Sequence, residues 1–84
     1  MKNVKISEKL AISDSGFLFM ANTGESFTVN ETGREIIKML REGKSEEEII
    51  EALVELYDVE RETAERDYDE FVAMLKNMKL AVEE

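Results

Sequence analysis

Two textures divide the chain near residue 29. Before it, short apolar runs alternate with turn signals. Leu10 to Ser13 reads as a strand and Asp14-Ser15-Gly16 as the turn that follows it. Phe17 to Ala21 is a continuous apolar run, too short for a helix and expected to be a strand covered on both faces. Asn22-Thr23-Gly24 supplies a second turn, and Ser26-Phe27-Thr28-Val29 then alternates polar and apolar at period two with β-branched and aromatic residues. The segment predicts a three-stranded antiparallel meander whose hairpin is Phe17 to Val29.

After Val29 the period lengthens to that of a helix. Thr32 and Glu35 have the spacing of a capping box, with Asn30 as a competing N-cap; Ile36, Ile37 and Leu40 form an apolar stripe that Gly43 stops. Ser45 to Glu48 is a second capping box, opening a helix with Ile49, Ile50, Leu53, Val54 and Tyr57 on its buried face. Only Gly43 and Lys44 lie between the first helix and the cap of the second, so the two helices are expected to form a tight corner. A third helix, the longest, is predicted from about Glu60 to Lys79, with Ala64, Tyr68, Phe71, Val72, Leu75 and Met78 facing the core. Glu62 and Arg66 stand four apart on it in the favourable order for an ion pair. Leu80-Ala81-Val82 is an apolar tail able to dock or to add a strand. The fold class is α+β: a three-stranded antiparallel meander followed by three helices, winged helix-turn-helix-like, in one domain spanning residues 1–84.

Composition narrows the function. Eighty-four residues make one small domain, and a hydrophobic content of 43% suffices for a core despite 37% charged residues. Twenty acids against 11 bases give a net charge of −9, a field that repels phosphate backbones and anionic lipid headgroups and attracts a basic peptide. The chain has no His and no Cys, which excludes Ser-His and Cys-His nucleophile pairs, nitrogen or sulfur metal sites, and disulfides. No glycine-rich phosphate loop is present, and the spacing of Asp58, Glu60, Glu62 and Asp69 fails as a calcium loop because Thr63 stands where Gly is required. Neither enzyme activity nor a cofactor is expected. With no apolar h-region and no 18-residue apolar run, a cytoplasmic address is the default expectation.

The helix-turn-helix corner invites a nucleic-acid reading, with the third helix in the major groove. Electrostatics opposes it: Glu60 to Lys76 holds six acids (Glu60, Glu62, Glu65, Asp67, Asp69, Glu70) and three bases (Arg61, Arg66, Lys76), whereas affinity for a duplex comes largely from Lys and Arg on phosphates.

Several of these residues, in this order, resemble the PqqD-like family. Phe27-Thr28-Val29-Asn30-Glu31-Thr32-Gly33 is similar to its pattern of an apolar strand meeting Asn-x-Thr at a helix start. Ile36, Leu40 and Glu42-Gly43 match its first helix; Ser45, Glu48-Ile49, Leu53 and Tyr57 its second; Asp67, Phe71 and Leu75 its third; Leu80 falls where an apolar pair follows. The resemblance covers residues 10 to 82, and Tyr68 departs from it at a position where a Val-like residue is commoner. It implies a recognition element for ribosomally made, post-translationally modified peptides. Such an element captures a precursor's leader segment and presents the core to a modifying enzyme, often a radical S-adenosylmethionine protein.

The physics of a meander fits that role, because its last strand can be an edge with unpaired N–H and C=O groups. A leader can add there as a further antiparallel strand, main-chain hydrogen bonds giving affinity and side-chain pockets specificity. Expected peptide-binding residues are Glu25, Ser26, Phe27, Thr28 and Val29 along the strand, and Asp67, Glu70, Phe71, Met74 and Met78 on the third helix. The two methionines are flexible thioethers that adapt to varied apolar side chains. The expected partners are a leader peptide and a peptide-modifying enzyme, with neither nucleic acid nor membrane, the chain being a monomer or weak homodimer. The rival readings are a module that docks on an enzyme without seeing a leader, and a winged-helix nucleic-acid binder.

Overall fold

The computed structural model describes residues 4–83. Its strands are β1 (Val4–Ile6), β2 (Leu10–Ile12), β3 (Phe17–Met20), β4 (Ser26–Thr28) and β5 (Ala81–Glu83), and its helices α1 (Glu31–Arg41), α2 (Glu46–Tyr57) and α3 (Arg61–Asn77), in the order β1-β2-β3-β4-α1-α2-α3-β5. The expected meander is there, with β3 between β2 and β4 and both pairings antiparallel. A separate antiparallel ribbon, β1 with β5, adds to it. The apolar tail thus adds a strand, as one of its two expected fates. Its partner β1 is too short, and too mixed in polarity, to stand out as a strand in the sequence.

The turn between β2 and β3 depends on Gly16. Its φ is +85°, and a Cβ there would lie 2.6 Å from the carbonyl oxygen of Val29, so only glycine fits. That closeness is functional to the hairpin, because the Val29 N–H donates to the Gly16 carbonyl at 2.9 Å.

Each helix boundary has a local cause. At α1 the two candidate caps are resolved in favour of Asn30, whose Oδ1 accepts from the Gly33 N–H at 2.8 Å. Its C-terminus closes with Gly43 N–H to Leu40 C=O and Lys44 N–H to Met39 C=O, both 3.1 Å, the pairing of a left-handed glycine stop. At α2 the capping box forms in both directions: Glu48 N–H to Ser45 Oγ at 3.1 Å, and Ser45 N–H to Glu48 Oε1 at 2.9 Å. The backbone hydrogen bond from Ser45 holds the Glu48 carboxyl below its usual pKa, with the Ser45 hydroxyl acting the same way.

α3 begins at Arg61 and stops at Asn77, two residues short of expectation. Lys79 takes φ +62° there, and Leu80 N–H returns to the Leu75 carbonyl at 2.8 Å. The surface ion pair on α3 also differs. Arg61, not Arg66, is engaged, with Glu65 one turn along and Glu47 on α2; both carboxylates raise its pKa.

The core lies between the sheet and the three helices. Leu18, Ile36, Ile37, Ile49 and Leu75 are fully buried within it, and no buried polar or charged side chain interrupts it among the described residues. Leu80 and Ala81 are buried too and pin the tail. The expectation that β3 is covered on both faces fails: Leu18 and Met20 point inward, but Phe17 and Phe19 are 47% and 42% exposed. The helices cover only one side of the sheet, so β3 is a half-buried antiparallel strand despite its unbroken apolar run.

Candidate functional site

Hydrogen-bond phase in the β3–β4 hairpin fixes which backbone groups are free. The Met20 N–H donates to the Glu25 carbonyl at 2.8 Å and the Val29 N–H to the Gly16 carbonyl at 2.9 Å. In an antiparallel ladder these bonded pairs alternate with unbonded ones. The register Phe17↔Thr28, Leu18↔Phe27 and Phe19↔Ser26 therefore turns the polar groups of Glu25, Phe27 and Val29 toward β3. The N–H and C=O of Ser26 and Thr28 point the other way, out of the sheet, and β4 pairs with no second strand among the described residues. Side chains follow the opposite alternation: Ser26 and Thr28 are exposed, whereas Phe27 and Val29 are half-buried and pack on the core.

Beyond the end of β4 lies a cleft of about 350 Å³ between the start of α1 and the middle of α3. Asn30, Thr32, Gly33 and Ile36 line one wall, and Asp67, Glu70, Phe71 and Met74 the other. Gly33 sets its width. A Cβ on Gly33 would lie 2.7 Å from Phe71 Cε1 and 3.2 Å from Val29 Cβ, so the missing side chain is what allows α1, the end of β4 and the Phe71 ring to meet. Phe71 is half-buried at the cleft rather than core, and Met74 is 37% exposed, an accessible apolar surface beside two acids.

Of the expected residues, Asp67, Glu70, Phe71 and Met74 share the cleft wall, Ser26 and Thr28 carry the outward-facing backbone groups of β4, and Phe27 and Val29 turn theirs toward β3. Glu25 sits in the hairpin turn with its carbonyl already used. Met78 does not reach the cleft: it caps α3, half-buried against the core. The α1 wall was not anticipated. Its one sequence signal is Gly33 inside the first turn of a helix, where glycine is poor unless something approaches closely.

The family model described as coenzyme PQQ synthesis protein D (PqqD) matches residues 16–81. A search of curated protein sequences gave no significant match. Among solved structures, a lasso peptide synthetase B1 complexed with the leader peptide is 29% identical with a TM-score of 0.84, the match covering 95% of this chain and 98% of that one. TbiB1 in complex with the TbiA(beta) leader peptide is 38% identical with a TM-score of 0.81, over 92% of this chain and 93% of the other. Matched by its family model from the β2–β3 turn to the start of β5, and by these structures over nearly its whole length, the chain belongs to the PqqD family.

Proposed function

We propose that this domain binds the leader segment of a ribosomally made precursor peptide by strand addition at β4 and presents it to a peptide-modifying enzyme. The observation that carries the reading is the unpaired β4 edge, with Ser26 and Thr28 offering N–H and C=O groups beside an acidic, apolar-walled cleft. Main-chain bonds at an edge bind any extended peptide, so selectivity comes from alternate side chains entering pockets. Here the inward-facing residues of the leader meet Phe71 and Met74, and a basic residue meets Asp67 or Glu70. The two solved neighbours are described as leader-peptide complexes, which supports this occupant for the cleft. One of them is a lasso peptide synthetase B1, so the modifying partner is not restricted to radical S-adenosylmethionine proteins. The domain itself is read as non-catalytic.

The test is titration of the isotopically labelled domain with the leader of the precursor encoded beside it, following backbone amides. Ser26 and Thr28 should shift most, with Asn30, Gly33 and Phe71 to Met74 moving in parallel. Binding that leaves Ser26 and Thr28 unmoved overturns strand addition at β4.

A further inference from the structure

A second cleft lies outside the proposed leader site. It measures about 710 Å³ and runs between β1 and the corner where α1 ends and α2 begins. All three residues of β1 border it, as do Ser7 and Glu8 in the turn that follows. A strand borders a space with consecutive residues when its edge faces that space, since side chains of one face alone would contribute every second residue. The ladder agrees. The Ser7 N–H donates to the Leu80 carbonyl at 2.9 Å, and the register Val4↔Glu83, Lys5↔Val82, Ile6↔Ala81 continues from that pair. Alternation then points the backbone polar groups of Val4 and Ile6 away from β5, on the side of the cleft. β1 pairs with no other strand among the described residues.

The charge of this cleft is opposite to that of the other. Lys5, Arg41 and Lys44 line it against Glu8 and Glu46, a basic balance in a chain of net charge −9. The cleft beside β4 holds Asp67 and Glu70 and no base. Arg41 already donates to the Leu10 carbonyl, but a guanidinium carries five N–H donors and keeps others for a carboxylate.

We propose that the β1 edge and its basic cleft form a second docking surface, one that takes an extended, acidic segment of a protein partner as a strand beside β1. The proposal goes beyond leader binding and uses none of its residues. Its occupant follows from charge: an anionic segment is drawn to a cleft where basic side chains outnumber acids, and the acidic cleft repels it. A domain with two peptide-accepting edges of opposite sign can hold a basic leader and an acidic enzyme segment at once.

The experiment uses a synthetic heptapeptide of alternating glutamate and valine, titrated into the whole labelled domain at low ionic strength. Amides from Val4 to Glu8 and at Lys44 are expected to shift. The exposed charge reversals Lys5→Glu and Lys44→Glu together should weaken binding at least about tenfold, with circular dichroism unchanged, and salt should weaken it in the same direction. In a Thr28→Pro background, where the leader rail is blocked, the shifts should persist. The proposal is overturned by no shift at β1, by shifts confined to Ser26 and Thr28, or by equal shifts at Val4 to Glu8 with the lysine-valine counterpart. The first and last of these outcomes leave leader binding untouched, because it is read at a different edge.

Discussion

The meander has two edges, β2 and β4, built from strands of the same length, and the molecule treats them differently. At β2 the groups of Leu10 that point away from β3 are already used: its N–H donates to the Ser7 carbonyl at 3.2 Å and its carbonyl accepts from Arg41. Arg34, one face along α1, reaches the Asp14 carbonyl just past the strand's end. At β4 the equivalent groups of Ser26 and Thr28 have no protein partner among the described residues, and the nearest helical walls stand back to leave a cleft. An edge is a hazard unless it is covered or reserved. α1 reaches the first with two arginines, at Leu10 and just past the strand's end, and leaves Ser26 and Thr28 of the second uncovered. What distinguishes the open edge from the covered one is thus not the strand but what the neighbouring helix supplies.

Four experiments probe that contrast, the largest effect first. Thr28→Pro removes a donor that points out of the sheet and takes no part in the β3–β4 ladder. Leader affinity, measured by calorimetry, should fall about 100-fold through a lost hydrogen bond and a blocked approach. Thermal unfolding should change little, and a large loss of stability instead would mean that the ladder phase is wrong.

Gly33→Ala acts on the cleft rather than on the rail. The new methyl meets the far end of Phe71, a side chain that swings more easily than backbone, so the ring should move into the cleft. Leader affinity is expected to drop about tenfold, with stability nearly unchanged because the helix gain of about 1 kcal/mol for replacing Gly offsets part of the clash.

Arg41→Ala uncovers β2 by leaving the Leu10 carbonyl unpaired. Urea unfolding should show a loss of about 1 kcal/mol. No loss would mean that water serves that edge as well as the guanidinium does.

The smallest effect at neutral pH concerns the core behind both edges. Burial pushes the Tyr68 phenol up to about 12, with Glu46 and Asp69 adding to the shift. Because the folded value lies above the ordinary one near 10, the stability tied to the neutral phenol is complete below about 10 and is lost as pH climbs toward 12. Alkaline unfolding followed by circular dichroism should therefore begin later for Tyr68→Phe than for the parent chain.

Much of this architecture could be read from the chain, and the failures are instructive. The meander, the α1–α2 corner and the capping box at Ser45 were legible because each is written within a few consecutive residues. Phe71 shows the limit. Its spacing with Val72 and Leu75 marks it as core-facing, yet only the approach of Gly33 from another helix places its ring at a cleft wall. Phe17 and Phe19 misled for the same reason: an unbroken apolar run does not say how many layers will cover a strand. Met78 continued the helical stripe in sequence, but α3 ends there and its side chain turns to the core.

By itself, the sequence determined the meander and the three helices in their order, the helix caps in outline, the acidic field and the family resemblance, all set by local periodicity, local hydrogen bonding and composition. Tertiary structure decided which edge stays open, which wall faces it, and that the two ends of the chain close as a ribbon. Those outcomes depend on partners far apart in the chain, as with Arg41 and Leu10, 31 residues apart, or Val4 and Glu83 at the two ends of the described fold. No short window of residues carries such a pairing, because it is the packing of α1 on the sheet that brings the groups within reach.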